Sequence, residues 1–275
     1  MVSTRGCVPV LLAGVLTAAL LVAYAFVEPH WLRITRVDIA DPDVPPAYDG
    51  KRIVFISDIH HGPYFSIERV KRLVDRVNAL QPDLILLGGD YVHRDAKYIA
   101  PVFAELARLR APLGVFAVAG NHDHWEGIEE TRREMALAGI VNLDNRAEWI
   151  TMGGDRIKVG GVGDVYEDSQ DIGPTIADAD EGDFVLLLSH NPDYAERIVT
   201  ERIDLVLSGH THGGQVTFFA LWAAFVPSTY GQKYRSGFVD TGHTLVFVSN
   251  GVGTITPPVR FFARPEIVVI TLQRE

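Results

Sequence analysis

The chain has 275 residues, 47% hydrophobic and 22% charged, which excludes low-complexity disorder and leaves room for one large core or two small ones. Its 35 acidic and 25 basic residues give a formal net charge of -10, the wrong sign for a domain that holds nucleic acid through its phosphates. The single cysteine, Cys7, precedes the first apolar run, so nothing downstream can form a disulfide or a thiolate-ligated metal site.

In chain order the first element is the uncharged run from Val8 to Val27. As a helix rising about 1.5 Å per residue it would reach about 30 Å, the thickness of a bilayer's hydrocarbon core. Two readings fit: a single membrane span, or a cleaved signal with Arg5 as n-region, Val8–Val22 as h-region and Ala23-Tyr24-Ala25 as cleavage site. The anchor is favoured because the run fills a bilayer and Trp31 follows as an interfacial aromatic. Arg5 and the α-amine stand before the run and Arg33 and Arg36 after it, so the positive-charge count does not set orientation. The apolar segment behind Arg5 does have the shape of an export signal, which argues for a domain at the cell membrane on its extracytoplasmic side. The chain then divides into an anchor or signal over residues 1–27, a linker and first strand over 28–50, and one domain over 51–275.

Past the Pro- and Asp-rich stretch Asp41–Gly50, short β-branched runs alternate with helical periods, an α/β pattern. Strands are predicted at Ile53–Ile56, Leu84–Leu87, Val115–Ala119, Phe184–Leu188 and Leu205–Leu207, each a continuous apolar run of the kind buried on both faces. Helical spacing links Ile67, Val70, Leu73, Val74 and Val77 behind a Ser66 cap, and links Ile99, Val102, Phe103, Leu106 and Leu109. Asn191-Pro192 reads as the cap and first position of another helix.

Each predicted strand is followed at once by metal-ligating side chains: Asp58 and His60, then Asp90, then Asn121 and His122, then His190, then His210 and His212. Ligands of open α/β sheets bind outside the carboxyl ends of strands, so five such ends can converge on one site. Oxygen and imidazole donors without thiolate suit Mn²⁺, with Fe, Zn²⁺ or Mg²⁺ as alternatives. Eight candidates exceed the needs of one ion, which implies two divalent ions sharing a carboxylate.

Taken in order, Asp58-Ile59-His60, Gly89-Asp90, Gly120-Asn121-His122-Asp123, Ser189-His190 and Gly209-His210-Thr211-His212 resemble the motif set of calcineurin-like metallophosphoesterases. Gly213-Gly214-Gln215-Val216 through Tyr230-Gly231, Ser249-Asn250-Gly251-Val252-Gly253 and Arg264-Pro265-Glu266 extend the resemblance to the membrane-anchored bacterial branch of that family. That branch holds cell-envelope phosphodiesterases and lipid-sugar pyrophosphatases similar to UDP-2,3-diacylglucosamine hydrolase. The resemblance implies an α/β/β/α sandwich behind an N-terminal apolar helix and a metal-dependent hydrolase of phosphoester or pyrophosphate bonds. It also implies Asp58, His60 and His212 on one metal, Asn121, His190 and His210 on the other, and Asp90 bridging. His122 would donate a proton to the departing oxygen or stabilise the pentavalent transition state, and Asp123 would orient it.

The remaining residues carry weaker signals. His61 is a candidate for substrate phosphate or simply a loop histidine, His93 and His124 are expected nearby without a catalytic role, and His30 and His243 are read as structural. Lys233 and Arg235 could neutralise substrate charge or form a solvated strand face. Val216–Val226 is apolar except for Thr217 and includes Trp222 and Phe225; it is either core or a lip that dips into the bilayer to admit an acyl chain. On the second reading the partners are the bilayer and a phosphorylated lipid or lipid-sugar, with no nucleic acid and no protein partner inferable. A nuclease of the same superfamily conflicts with the acidic balance, and a silent scaffold would predict missing ligands, of which there are none.

Overall fold

The computed structural model describes residues 7–275; Arg5, used above for orientation, lies outside them. The first helix, α1 (Cys7–Val27), is exposed along its apolar length, with Val10 at 71% and Leu20 at 62%. An apolar helix that buries none of its residues from Pro9 to Val27 in the domain has the length and composition to cross a membrane. Its last turn is fixed to the domain: Arg260 donates its backbone N–H to the Ala25 carbonyl at 3.0 Å, and the Tyr24 ring packs on Phe261 and Phe262. Just beyond, buried Glu28 accepts from the N–H groups of Phe262 and Ala263 at 2.7 and 2.6 Å.

Two six-stranded sheets follow. The first contains β1 (Arg33–Asp41), β2 (Arg52–Ile56), β3 (Leu84–Leu87), β4 (Val115–Ala117), β5 (Val141–Asn142) and β14 (Glu266–Arg274), in the order β1-β14-β2-β3-β4-β5. The second contains β6 (Arg146–Met152), β7 (Asp155–Gly161), β8 (Val185–Leu188), β9 (Leu205–Ser208), β12 (Gly237–Asp240) and β13 (Leu245–Val248), in the order β12-β13-β9-β8-β7-β6. A small hairpin, β10 (Thr217–Phe218) with β11 (Trp222–Ala223), stands apart. β1 pairs with β14 in parallel from Arg33↔Glu266 to Asp41↔Arg274, so the segment ahead of residue 51 supplies an edge strand.

Strand alternation sorts the core into layers. In β2, Ile53 and Phe55 face inward and meet Leu86, Leu186, Leu207 and Phe247 between the sheets, while Val54 and Ile56 face outward. The outward side packs against α2 (Ile67–Ala79) through Val70, Leu73 and Val77, and α3 (Ile99–Leu106) through Phe103. Full burial of each such side chain contributes roughly 1.5–3 kcal/mol. The outer face of the second sheet has a thinner cover, α5 (Gly173–Ile176) and short 3-10 turns, so the architecture is the expected mixed α/β sandwich. The helix expected after Asn191 is one of those turns, Pro192–Arg197, capped as foreseen by the Asn191 side chain on the Asp193 N–H at 2.9 Å.

At the end of the sandwich away from the strand carboxyl ends, Asp204 accepts from the Val185 N–H at 2.6 Å beside Asp41 and Asp43. Burial pushes its carboxyl up to about 7, with the two aspartates adding and the Val185 bond opposing. The folded protein thus holds this proton well above the usual carboxylate range, so the group's stabilising contribution is full below about pH 4 and falls as pH rises through about 7. Asp204→Asn keeps an oxygen for Val185 and removes the titration. It is expected to raise the melting temperature at pH 8 by roughly 2–6 °C while changing little at pH 4. Parallel melting-versus-pH curves for the two proteins would refute the assignment.

Candidate metal centre

Five strands end at one rim. Asp58 and His60 follow β2, Asp90 follows β3, Asn121 and His122 open α4 (Asn121–Leu137) after β4, His190 follows β8, and His210 and His212 follow β9. The seven expected ligands (these less His122) are buried, none more than 8% exposed. Twelve non-glycine residues among those described have positive φ, and five of them are Asp58, His60, Asp90, His210 and His212. Left-handed backbone is unfavourable for a residue with a Cβ, so its concentration here marks loops held for the direction of their side chains. Two glycines make room: a Cβ on Gly120 would collide with Asp90 Oδ1, and one on Gly209 with Asp58 Oδ2.

The donor atoms form two adjoining groups. In the first, Asp58 Oδ1 lies 3.9 Å from His60 Nε2 and 3.4 Å from His212 Nε2, and the two imidazole nitrogens are 3.0 Å apart. In the second, His190 Nε2 is 3.3 Å from Asp90 Oδ2 and 3.3 Å from His210 Nδ1. Asp90 Oδ2 also lies 3.5 Å from His60 Nε2, so this one carboxylate touches both groups. Donors about 2.1 Å from a cation lie about 3.0 Å apart at right angles and about 4.2 Å apart across it, a range that contains all of these separations. Asn121 adds a buried Oδ1 with no hydrogen-bond partner, an orphaned acceptor of the kind a cation satisfies.

Neighbouring groups set the ligand tautomers. His190 Nδ1 donates to the Gly88 carbonyl at 2.7 Å, which turns the Nε2 lone pair toward Asp90. Burial pulls His60 and His212 well below their ordinary values and His210 to about 3, which holds three imidazoles neutral and able to ligate. Burial pushes Asp58 up to about 6. Burial would do the same to Asp90, but His190, His122 and His60 around it outweigh that and hold it well below the carboxylate range.

His122 is half-buried, with its ring edge-on to His60 at 4.7 Å and to Trp125 at 4.6 Å. Asp123 does not orient it. As third residue of α4, Asp123 accepts from the N–H groups of Gly120 and Asp90 with Oδ2 and of Tyr91 with Oδ1, at 2.8–2.9 Å, so it pins the loop that carries Asp90. The partner of His122 is His93, Nδ1 to Nδ1 at 3.3 Å, and with His60 these two form a third cluster of imidazoles. His61 turns Nδ1 to the Phe65 carbonyl at 2.8 Å and packs on Tyr98, His124 keeps a buried Nε2, and His243 is exposed.

Lys233 is no free cation, since it pairs with Glu196. Arg235 donates to the Ala220 carbonyl at 2.8 Å. Trp222 and Phe225 are 54% and 70% exposed, so these rings are not core, whereas Thr217 and Ala223 of the same stretch are buried. Two residues near the rim escaped the sequence reading. Asp164 follows β7 as the ligands follow their strands, is 1% exposed, and leaves Oδ2 without a partner. Fully buried Arg260 ties together the carbonyls of Asn250, Gly253 and Ala263 at 2.6–2.7 Å behind His212. Gly163-Asp164 was a readable signal for the first, whereas the Pro-Pro-Val-Arg context of the second reads as an ordinary loop.

The profile of the family described as calcineurin-like phosphoesterase matches residues 51–214. An uncharacterised metallophosphoesterase of Bacillus subtilis, YkuE, is 33% identical over 98% of this chain and 96% of its own length. The Escherichia coli phosphodiesterase YaeI is 31% identical over 90% of each chain. A Danio rerio transmembrane protein with a metallophosphoesterase domain is 28% identical over 96% of this chain and 62% of its own. With candidate ligand groups of the dinuclear divalent kind this family uses, the chain belongs to the calcineurin-like phosphoesterases and is a metal-dependent phosphoesterase.

Proposed function

We propose that the enzyme hydrolyses a phosphodiester or pyrophosphate bond in a membrane lipid or lipid-sugar, as in the branch similar to UDP-2,3-diacylglucosamine hydrolase. Asp58, His60 and His212 would hold one divalent ion and Asn121, His190 and His210 the other, with Asp90 placed to serve both groups, and Mn²⁺ would suit the mixed oxygen and imidazole donors. Such a pair of ions supplies charge neutralisation at the phosphoryl oxygens and a water acidic enough to ionise near neutral pH. Through its Nδ1 contact with His93, His122 keeps its other ring nitrogen available to protonate the departing oxygen. Asp123 acts at one remove, by fixing the backbone of Asp90.

The observation that carries the lipid reading is the exposed apolar hairpin. Phe218, Leu221, Trp222 and Phe225 are 64, 77, 54 and 70% exposed, a contiguous patch that water does not favour. Phe219 and Ala220 at its tip are left-handed without being glycine, so the turn is held under strain. Phe219 packs on Phe262 at 4.9 Å and Phe262 on Tyr24 at 5.3 Å, which puts the hairpin beside the end of α1, and its chain starts just past His212. A helix crossing the bilayer would thus bring the hairpin to the interface with the metal groups behind it. Arg235 lines a cleft of about 280 Å³ with Arg33, Arg264 and Tyr24, in reach of a headgroup at that depth. The relative named as a transmembrane protein supports the anchor.

The test is Trp222→Ser with Phe225→Ser. The double variant is expected to raise KM for a lipid-linked substrate about tenfold or more while kcat/KM for a small aryl phosphate stays unchanged, since the ring contacts serve only the acyl portion. Equal losses on both substrates would defeat the lipid reading.

A further inference from the structure

A second groove opens at the end of α1, apart from the metal groups. It has a volume of about 490 Å³ and lies between α2 and the residues that follow α1. Leu32, Phe65 and Leu73 give it an apolar floor. Three arginines, Arg69, Arg72 and Arg76, line it from one side of α2, at the three- and four-residue spacing that shares a helix face.

These cations have no carboxylate in contact, and Glu68, one turn before Arg72, acts on it only through space. Among the described residues none of the three lies within ion-pair distance of a carboxylate, and the acid in the groove, Asp75, pairs with Arg108 at 2.5 Å. Arg69 is fixed by donating to the Tyr64 and Pro29 carbonyls at 3.0 and 2.5 Å, with its guanidinium over the Phe65 ring. Burial and the Arg72 charge pull Arg69 down to about 10. Three guanidinium groups gathered over an apolar floor, in a chain of net charge -10, suit an anion with an apolar stem. The Pro29 contact ties this face to the chain only two residues beyond α1.

We propose that this groove binds the headgroup of an anionic phospholipid, its phosphate among Arg69, Arg72 and Arg76 and its glycerol-acyl stem along Leu32, Phe65 and Leu73. The headgroup depth rests on α1 lying in the bilayer, while substrate and turnover play no part. The bound lipid gives the domain a second attachment beside the anchor and fixes the angle at which the aromatic hairpin meets the membrane. A net acidic domain would otherwise be repelled by an anionic leaflet.

The test uses the full-length chain in non-ionic detergent, titrated calorimetrically with dioctanoyl phosphatidic acid, dioctanoyl phosphatidylcholine and inorganic phosphate. Phosphatidic acid is expected to bind roughly tenfold or more tighter than either of the others. Arg72→Glu with Arg76→Glu should weaken it by at least that factor, and the milder Arg72→Gln with Arg76→Gln should fall between, with lipid-free melting unchanged in both. Equal affinity for phosphatidylcholine, or indifference to both variants, would overturn the proposal. Inorganic phosphate binding as tightly as phosphatidic acid would assign the groove to free phosphate instead. Flotation with phosphatidylcholine vesicles reads the anchor separately, and a chain that stays in solution would remove the membrane placement and the proposal with it.

Discussion

Asp90→Asn is expected to release both metals and to abolish hydrolysis of every substrate. Asp90 Oδ2 lies 3.5 Å from His60 Nε2 and 3.3 Å from His190 Nε2, so replacing one oxygen of this carboxylate weakens both donor groups at once. The other oxygen, Oδ1, accepts from the His122 N–H at 2.9 Å and positions the start of α4. Asparagine is the informative replacement because Asp90 has φ 57, a conformation that Asn adopts at less cost than Ala. The loss should exceed the ~10²–10³-fold that follows removal of a single charge-stabilising donor. Metal content after dialysis, measured beside turnover and the far-ultraviolet spectrum, checks it. A folded variant that keeps two metals and native turnover would refute the bridging role. Wild-type enzyme stripped by chelator should match the variant and recover when Mn²⁺ is returned, whereas the variant should not.

The ligand positions were legible because each follows a strand buried on both faces, and such strands stand out as unbroken apolar runs. Ile53–Ile56 and Leu84–Leu87 are clear instances, each followed within a few residues by Asp58 or Asp90. Elements whose pairing is settled over long range were not legible. β14 inserts between β1 and β2, parallel to one and antiparallel to the other, and no local pattern at residues 266–274 encodes that. The β6–β7 hairpin does carry a local signal in its Gly153-Gly154 turn, and Asp164 follows its second strand. Contacts between separate loops left no trace in spacing either. His93 meets His122 across 29 residues, which displaced the adjacent and more obvious Asp123, and Lys233 meets Glu196 across 37. The stretch 216–226 was ambiguous because apolar composition does not say which side faces water. Its tight turn at Phe219 and Ala220 folds it into a hairpin too short to join either sheet.

His122→Ala is expected to keep both metals and lose about 10²–10⁴-fold in kcat, the range for a positioned proton donor. Its imidazole stands outside the Asp58 and Asp90 groups and belongs to the cluster with His60 and His93. That cluster offers another reading, in which His122 ligates a metal, and the two readings part on metal content. A donor leaves it unchanged, whereas a ligand lowers it. A second measurement separates proton donation from simple positioning. A departing aryl oxide of low pKa needs no proton, so the variant should approach wild type on p-nitrophenyl esters and fall furthest behind on alkyl esters. His93→Gln, which keeps a polar partner for the Nδ1 contact at 3.3 Å, should lose only about tenfold in kcat with KM unchanged. An equal loss for all leaving groups in His122→Ala would assign the residue to charge stabilisation at the phosphoryl oxygens. Loss of metal would make it a ligand, and the proton would then have to come from elsewhere at the rim, where buried Asp164 has an unpartnered Oδ2 and no assigned role.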